Sequence, residues 1–196
     1  MITIGVLALQ GGFAEHVAAL YRLGAAVVEV RLPEHLRCVD GLVIPGGEST
    51  AIVRQLHDSA LHQPIQALVQ KGMPVWGTCA GAILLAKTVD LNPPGLAVMD
   101  IAVQRNAFGR QIDSFQQSIP TVLWDTPFPA VFIRAPVFSV PDAAVEKVRV
   151  LAQLEDQRIV AAEQAGWLAT AFHPELTDDD RFHRYFFDKV AACVSA

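Results

Sequence analysis

Short apolar segments alternate with segments of helical spacing through the first half of the chain, and this alternation limits the fold more than any other feature. The apolar segment 2–9 is followed by helical spacing over residues 13–20 and by a second apolar segment, 26–31. Two strands joined by a helix run parallel, and a parallel sheet is covered by helices on its faces. We therefore predict an α/β fold: a three-layer α/β/α arrangement with a mixed, mainly parallel central sheet.

The same alternation continues further along the chain. It predicts strands at 41–44 and 73–77, with helical spacing at 52–56, 64–71 and 82–87. From about Val98 the pattern favours strands, and the candidates are 131–133, 148–151 and 159–163. A last helix is predicted from Thr177, because Asp180 three positions later resembles a capping box.

A short turn, Asn-Pro-Pro-Gly at 92–95, separates the two halves of the chain. This turn has the length of an internal loop and is too short for a linker between domains. A chain of 196 residues has the length of one full-sized domain. We predict a single domain over 1–196.

Composition and charge exclude several classes of function. The chain is 52% hydrophobic and 18% charged, and its net charge of −5 comes from scattered acidic residues without a basic stripe. Nucleic-acid and anionic-membrane binders carry such a stripe, so we expect neither partner. No apolar segment approaches the roughly 18–20 residues that cross a bilayer, and the N-terminus lacks the positive charges of a secretory signal.

The three cysteines, Cys38, Cys79 and Cys193, are widely spaced and odd in number. Disulfide frameworks and zinc sites need paired or closely spaced cysteines. We therefore expect a protein of the reducing cytoplasm. The scattered charge indicates a small substrate, and without a convincing cluster of metal ligands we expect no metal or organic cofactor.

The segment Gly77-Thr78-Cys79-Ala80-Gly81 lies between a predicted strand and a predicted helix. It has the pattern of a nucleophile elbow, in which a strained turn exposes the reactive side chain and the two glycines let the backbone pack closely. The following helix start favours a thiolate and offers the Ala80 N–H to an oxyanion. The alternative is a small buried hydrophobic residue in a tight turn.

A thiolate nucleophile needs a base, and His173 is the only histidine that follows an apolar strand and is itself followed by a carboxylate. Pro174 fixes the turn, so Glu175 is expected to fold back on His173 and orient its ring. The alternative for His173 is an exposed turn residue. The remaining histidines are predicted to lie on solvated faces: His16, His35, His57, His62 and His183.

A glycine pair, Gly46-Gly47, comes after the predicted strand 41–44 and is followed by Glu48-Ser49-Thr50. Open α/β sheets bind ligands at the carboxyl ends of their strands, and paired glycines expose N–H groups. The alternative is an ordinary turn between strand and helix, with Glu48 or Ser49 near the helix N-terminus.

Together these segments resemble a class I glutamine amidotransferase, most closely the family of glutaminase subunits of two-subunit pyridoxal phosphate synthases. The resemblance covers almost the whole chain. It is carried by the segments 5–11, 40–50, 77–81, 104–115, 131–136 and 172–177. The subfamily is indicated by Gly-Gly-Glu-Ser-Thr, Arg-Asn-x-Phe-Gly-Arg and Phe-Ile-Arg-Ala-Pro within them.

The resemblance implies a cysteine hydrolase that releases ammonia from L-glutamine through a γ-glutamyl thioester. Cys79 would be the nucleophile, His173 the base and Glu175 its orienting partner. The N–H groups of Gly47 and Ala80 would receive the oxyanion. The residues implied to hold glutamine are Gly46, Gly47, Glu48, Arg105, Ile133 and Arg134. A guanidinium suits the carboxylate of an amino acid, although spacing alone also permits structural ion pairs at both arginines.

The resemblance also implies a partner, because a single glutaminase domain leaves no second domain to bind an ammonia acceptor. The implied partner is a (β/α)₈-barrel synthase that makes pyridoxal 5'-phosphate, in a large hetero-oligomer. A low basal rate that rises on docking is expected, with Gln10 and Gly11 as candidates for sensing the partner. Two other functions remain open from the residues: a cysteine peptidase or general hydrolase, and a non-catalytic scaffold subunit.

Overall fold

In a computed structural model, which describes residues 1–91, 93–108 and 114–195, strands and helices alternate as expected. The strands are β1 Thr3–Leu7, β2 Ala26–Val30, β3 Gly41–Ile44, β4 Val75–Thr78, β5 Ala86–Thr88, β6 Met99–Gln104, β7 Ser114–Ile119, β8 Phe128–Ile133, β9 Val137–Ser139, β10 Arg149–Gln153, β11 Ile159–Gln164 and β12 Trp167–Thr170. The helices are α1 Phe13–Arg22, α2 Ser49–Asp58, α3 His62–Gln70, α4 Ala80–Leu85 and α5 Arg181–Val194. The predicted strand 41–44 has the same bounds as β3.

The main sheet has the order β2-β1-β3-β4-β12-β11-β9-β6-β5, and β10 pairs with β11. The pairs from β2 through β12 are parallel, as is β5 with β6. The pairs around β11 and β9 are antiparallel. The sheet is therefore mixed and mainly parallel, and the predicted fold class is confirmed.

Helices cover the sheet because its central strands are apolar on both faces. Trp76 on β4 is fully buried and contacts the rings of Phe182 and Phe186 on α5. On the other side of β4, an added Cβ at Gly77 would lie 2.4 Å from the backbone of Gly81 in α4. Successive strand residues point to opposite faces, so α5 and α4 cover opposite sides of β4. Both β4 and β12 end at the edge where the chemistry is expected.

Three predicted helices have other bounds in the structure. The helix expected over 64–71 is α3, His62–Gln70. The helix expected over 82–87 is α4, which begins at Ala80 and ends at Leu85, because Ala86–Thr88 pairs with β6 as a strand. The last helix begins at Arg181 and not at Thr177. The hydroxyl of Thr177 donates to the carbonyl of Pro174 at 2.9 Å and so closes the preceding turn, and no capping box forms.

Several strands of the second half were not individually predicted, namely β6, β7 and β9. The predicted strands 131–133, 148–151 and 159–163 correspond to β8, β10 and β11. Of the motif 104–115, residues 109–113 lie outside the described residues, as does Asn92 of the turn 92–95. Across the described parts of the chain, no helix has the length and apolarity needed to span a membrane.

Candidate active site

Cys79 lies in a strained turn between β4 and α4. Its backbone has φ 48° and ψ −105°, a conformation that non-glycine residues rarely adopt. The Cys79 N–H donates to the carbonyl of Thr170 on β12 at 2.8 Å, which extends the pairing of β4 with β12 by one residue. Backbone strain of this kind persists only where the surroundings fix it, and it concentrates at functional positions.

The glycines on either side of Cys79 are required by close backbone packing. A Cβ on Gly81 would lie 1.9 Å from the carbonyl oxygen of Ile44, at the end of β3. A Cβ on Gly77 would overlap the backbone of Gly81 and Ala82 in the same way. Any side chain at either position would push α4 away from the sheet and change the direction of the turn.

His173 follows β12, the strand beside β4, so it reaches the same edge of the sheet as Cys79. Its N–H donates to the carbonyl of Val131 at 2.8 Å. Pro174–Leu176 then form a short 3₁₀ helix that turns Glu175 back towards the histidine. The His173 Nδ1 and Glu175 Oε1 atoms are 2.7 Å apart, and the Glu175 side chain is only 1% exposed.

The charge state of His173 is set by two acidic neighbours. Burial disfavours its protonated form, but hydrogen bonds to Cys79 and Glu175 and their negative charges outweigh burial and raise the pKa of His173 to about 10. Burial also opposes ionisation of Glu175, yet the pKa of that carboxyl is lowered because His16 and His173 face it. At neutral pH the arrangement is an imidazolium held by a carboxylate beside the sulfur.

A cavity of about 240 Å³ opens beside Cys79. Besides Cys79 and His173, its walls contain Gly47, Glu48, Ser49, Ala80, Ile83, Arg105, Asn106, Ile133 and Arg134. All but one of the residues predicted to hold the substrate are in this set. The exception, Gly46, lies behind His173: an added Cβ there would be 2.5 Å from the ring carbon Cε1.

The Gly46-Gly47 loop is held from two sides. The Gly46 N–H donates to the Thr78 hydroxyl at 3.0 Å, and the Gly46 carbonyl accepts from the Gly12 N–H at 3.3 Å. In a trans peptide the N–H and the C=O point in opposite directions, so the Gly47 N–H points away from Gly12, to which the Gly46 carbonyl is bonded. The side-chain amide of Gln10 donates to the Glu48 carbonyl at 3.1 Å, so the first loop of the chain contacts this loop.

A larger cavity, of about 840 Å³, lies between segments 116–118 and 176–181. Its lining contains no cysteine and no histidine. Reactive side chains therefore select the smaller cavity as the candidate active site.

Comparison with known proteins agrees with the chemistry that this site indicates. The SNO glutamine amidotransferase family model matches residues 6–192. The chain belongs to this family. Among its relatives, the pyridoxal 5'-phosphate synthase subunit PdxT of Herpetosiphon aurantiacus is 55% identical over 190 residues, covering 94% of this chain and 98% of the relative. A subunit of the same name from Roseiflexus sp. is 51% identical over 189 residues, covering 94% and 98%.

A solved glutamine amidotransferase has the same fold. It superposes with a TM-score of 0.88 at 44% identity, over 96% of this chain and 98% of the other. The expected membership in the glutamine amidotransferases is thereby confirmed.

In this amidotransferase, Glu48 has a structural task besides lining the cavity. Its carboxylate accepts from the N–H groups of Thr50 and Ala51 and so caps α2. Slight burial opposes ionisation, but these N–H groups and the nearby charge of Arg105 lower the pKa of Glu48.

The two arginines of the amidotransferase cavity are weakly engaged. Arg105 has one long contact, 3.7 Å to the fully exposed Asp90, and within the described ranges no ion pair involves Arg134. Of the structural ion pairs that the spacing also permitted, the pair of Arg105 is weak, and none is found for Arg134 among the described residues. Positive φ values occur at Asn106 (50°) and Arg134 (44°) as well as at Cys79, so three strained residues line one cavity.

The prediction that His16 and His183 lie on solvated faces is wrong. Both are fully buried, and they contact each other, His16 Nδ1 to His183 Nε2, at 2.9 Å. His16 also lies 3.3 Å from the second oxygen of Glu175. The signal was present in the sequence, because His16 falls between Phe13, Val17 and Leu20 on the helical stripe and His183 adjoins Phe182.

The other three histidines have solvent contact, as predicted: His57 is exposed, and His35 and His62 are half-buried. Cys38 and Cys193 are exposed free thiols, whereas Cys79 is buried. In the part of the chain that is described, no group of three or more His, Cys, Asp or Glu side chains is arranged to hold a metal ion.

Proposed function

We propose that this chain hydrolyses L-glutamine to L-glutamate and ammonia, with Cys79, His173 and Glu175 as its catalytic triad. One observation carries the proposal: a cysteine in a strained elbow lines the same cavity as a histidine whose ring is 2.7 Å from a buried carboxylate. A cysteine, a base and an orienting carboxylate are the parts that nucleophilic acyl transfer requires.

In the first half-reaction the Cys79 thiolate attacks the side-chain carbonyl carbon of glutamine. A carbon–sulfur bond forms, and the negative charge moves to the carbonyl oxygen, which the N–H groups of Gly47 and Ala80 stabilise. The carbon–nitrogen bond then breaks, and the His173 imidazolium gives its proton to the departing nitrogen. The raised pKa of His173 supports this role, because the proton is already present at neutral pH.

In the second half-reaction a water molecule attacks the γ-glutamyl thioester. Neutral His173 takes a proton from the water as its oxygen bonds to the carbonyl carbon. The carbon–sulfur bond breaks, glutamate leaves, and the thiolate–imidazolium pair is restored. Glu175 keeps the His173 ring in one orientation throughout, because its carboxylate accepts from Nδ1.

Glutamine binding is proposed for Gly46, Gly47, Glu48, Arg105, Ile133 and Arg134. Two weakly paired guanidinium groups, on Arg105 and Arg134, support binding of the amino-acid carboxylate at the cavity. Glu48 supplies a negative charge suited to the amino group. Replacing Arg105 is expected to raise KM more than it lowers kcat.

The direct experiment is an assay of ammonia and glutamate release from glutamine by the wild-type chain and by Cys79→Ala. Equimolar products from the wild type and none from the variant support the proposal. Turnover of peptides or esters without ammonia release from glutamine would favour a general hydrolase instead.

We further propose that the ammonia is used to make pyridoxal 5'-phosphate, by a partner synthase with a (β/α)₈-barrel fold in a large hetero-oligomer. The names of the relatives from Herpetosiphon and Roseiflexus support this pathway. A docked partner is chemically advantageous, because most of the ammonia released into water at neutral pH becomes ammonium, which is not a nucleophile.

Gln10 and Gly11 are proposed to report partner docking to the active site. Gln10 hydrogen-bonds the Glu48 carbonyl, and a Cβ on Gly11 would lie 1.8 Å from the Gly46 carbonyl oxygen. A displacement of this loop would therefore move the Gly46-Gly47 loop. The experiment measures glutaminase rate with and without the synthase, in wild type and Gln10→Ala. If the synthase does not bind the wild-type chain and does not raise its glutaminase rate, the two-subunit proposal is contradicted.

A single glutaminase domain over 1–196 and a cytoplasmic setting are proposed as well. Three free thiols support a reducing compartment. Limited proteolysis that yields two stable fragments would contradict the first proposal, and cell fractionation tests the second.

A further inference from the structure

The carboxylate of Glu175 has two oxygens, and the proposed triad uses only one. Oε1 faces His173, while Oε2 is buried and lies 3.3 Å from His16 Nε2. Among the described residues no donor, His16 included, meets Oε2 with hydrogen-bond geometry. A buried carboxylate oxygen without a donor is costly, so the state of His16 Nε2 matters for the site.

The proton positions on the two buried histidines follow from their contacts. If His16 carried its proton on Nδ1, the lone pair of Nε2 would face the Glu175 carboxylate, which is repulsive. With the proton on Nε2, His16 donates towards Oε2, and Nδ1 is free to accept from His183 Nε2 at 2.9 Å. The atom left over is His183 Nδ1, which is buried and has no described partner. In this arrangement it holds a lone pair and not an unpaired N–H.

A doubly protonated His16 does not fit the same surroundings. It would force His183 to carry its proton on Nδ1, where no described acceptor lies. Burial in addition lowers the pKa of His16, against the opposing effect of Glu175. The neutral ring with its proton on Nε2 satisfies the most contacts.

His16 also touches the loop that supplies the proposed oxyanion site. Its Nε2 lies 3.2 Å from the Thr78 hydroxyl, which accepts from the Gly46 N–H at 3.0 Å. The ring is held by edge contacts with Trp76, 5.4 Å between centroids, and by α1. His16 is thus fixed by packing and faces both Glu175 and Thr78.

We infer that His16 is a positioning residue of the glutaminase: its neutral ring holds the Nε2 N–H beside both the Thr78 hydroxyl, at 3.2 Å, and Glu175 Oε2, at 3.3 Å, and this polar contact keeps the carboxylate aligned on His173. His183 fixes the His16 tautomer through the contact at Nδ1. This inference rests on the proposed function, because it assigns His16 an effect on the proposed triad. His16 is fully buried and is not among the described residues that line the cavity, so its replacement should change kcat and leave KM near its wild-type value.

The test compares His16→Leu with His16→Gln, in the presence of the synthase. Leucine removes the donor, whereas the glutamine amide places an N–H near the position of Nε2. We expect kcat to fall about tenfold in His16→Leu, with KM changed less than about twofold, and to recover most of its value in His16→Gln. Tyr185→Phe is the matched control, because it removes a hydrogen bond of α5 that lies outside the site. It should leave kcat unchanged.

A double-mutant cycle with Glu175→Gln separates positioning from general damage. If His16 acts through Glu175, His16→Leu should lower kcat much less in the Glu175→Gln background than in the wild type. An equal loss in both backgrounds overturns the inference, as does a wild-type kcat in His16→Leu. If His16→Leu does not fold, ¹⁵N NMR of the wild-type imidazoles decides: a His16 proton on Nδ1 alone overturns it.

Failure of the proposed function gives a different result. If the wild-type chain with its synthase releases no ammonia from glutamine, the proposed function is wrong whatever the His16 variants do. If the wild type is active and the His16 variants behave as wild type, only the present inference is lost.

Discussion

Two carboxylates, Glu175 and Glu163, are both buried, but they have different partners and different consequences for function. Each has a lowered pKa despite burial, and each faces side chains from more than one segment of the chain. Glu163 accepts from Tyr185 at 2.6 Å, Lys189 at 2.7 Å and Arg149 at 3.1 Å. Among the described residues, the ionisable side chains that face Glu175 are those of His16 and His173, and His173 lies beside Cys79 in a cavity.

The difference lies in the partners. Lysine and arginine stay charged across the physiological range, so the Glu163 cluster ties α5 to β10 and β11 without changing its protonation. An imidazole exchanges its proton near neutral pH, so a carboxylate that faces imidazoles controls a proton that can move. A buried, ionised carboxylate therefore indicates chemistry only when its partners titrate and a nucleophile is within reach.

The largest expected effect is at the nucleophile. Cys79→Ala should lower ammonia release by at least about four orders of magnitude, because no covalent intermediate can form, and His173→Asn should be nearly as severe. Circular dichroism should show the fold retained. Cys38→Ala and Cys193→Ala are the controls: both thiols are exposed and distant from the elbow, so activity should be unchanged.

The variants Glu175→Gln and Glu163→Gln test whether the two carboxylates have different roles. Glu175→Gln should lower kcat, and its fold-loss should be about a hundred times smaller than the fold-loss in Cys79→Ala. A residue that only orients the base contributes less than the reacting groups themselves. Glu163→Gln should leave kcat intact and cost about 1–3 kcal/mol of unfolding free energy through weakened charged hydrogen bonds. Rates and urea unfolding of both variants are measured together. A loss of kcat in Glu163→Gln would break the distinction.

Substrate binding should be a smaller effect. Arg105→Leu is expected to raise KM for glutamine about tenfold while kcat changes less, since a guanidinium that binds the carboxylate acts equally in ground and transition states. Steady-state kinetics check this. A fall in kcat with unchanged KM would instead assign Arg105 to the reacting centre.

The last expected effect is on the pH dependence of stability. The pKa of His173 is about 10 in the folded chain, against 6.5 for an ordinary histidine. A raised pKa stabilises the fold fully below pH 6.5, and that contribution is lost as pH rises towards 10. The difference in unfolding free energy between wild type and His173→Asn should therefore shrink over this range.

Glu163 supplies the opposite case. Its lowered pKa gives a contribution that is present above the usual glutamate pKa and is lost only in acid. The destabilisation in Glu163→Gln should stay constant between pH 6.5 and 9. If the difference in unfolding free energy between wild type and His173→Asn stays constant over the same pH range, the raised pKa of His173 is contradicted.

Much of the architecture could be predicted because apolar strands and amphipathic helices alternate in the first half. The strands of the second half are harder to predict from the sequence. β7 alternates polar and half-buried residues, and β9 has three residues, so neither has an apolar segment of useful length. α4 ends early because Ala86–Thr88 pairs with β6, a contact that local sequence does not encode.

The residues that line the cavity could be predicted because their motifs are local: the elbow around Cys79, the turn around His173 and the glycine pair Gly46-Gly47. His16 and His183 could not be predicted as a pair, since they are 167 positions apart and meet only through the packing of α1 on α5. Their positions on apolar helical stripes indicate burial, but only the fold shows that one of them faces Glu175.

The central claim is that Cys79 is the nucleophile for glutamine, and covalent labelling tests it most directly. The chain, with its synthase, is treated with a glutamine analogue that carries an electrophilic ketone, and peptides are examined by mass spectrometry while ammonia release is followed. The account predicts one label per chain, on Cys79, in proportion to lost activity, with protection by glutamine. Full activity in a chain labelled at Cys79, or inactivation with label only on Cys38 or Cys193, would contradict it.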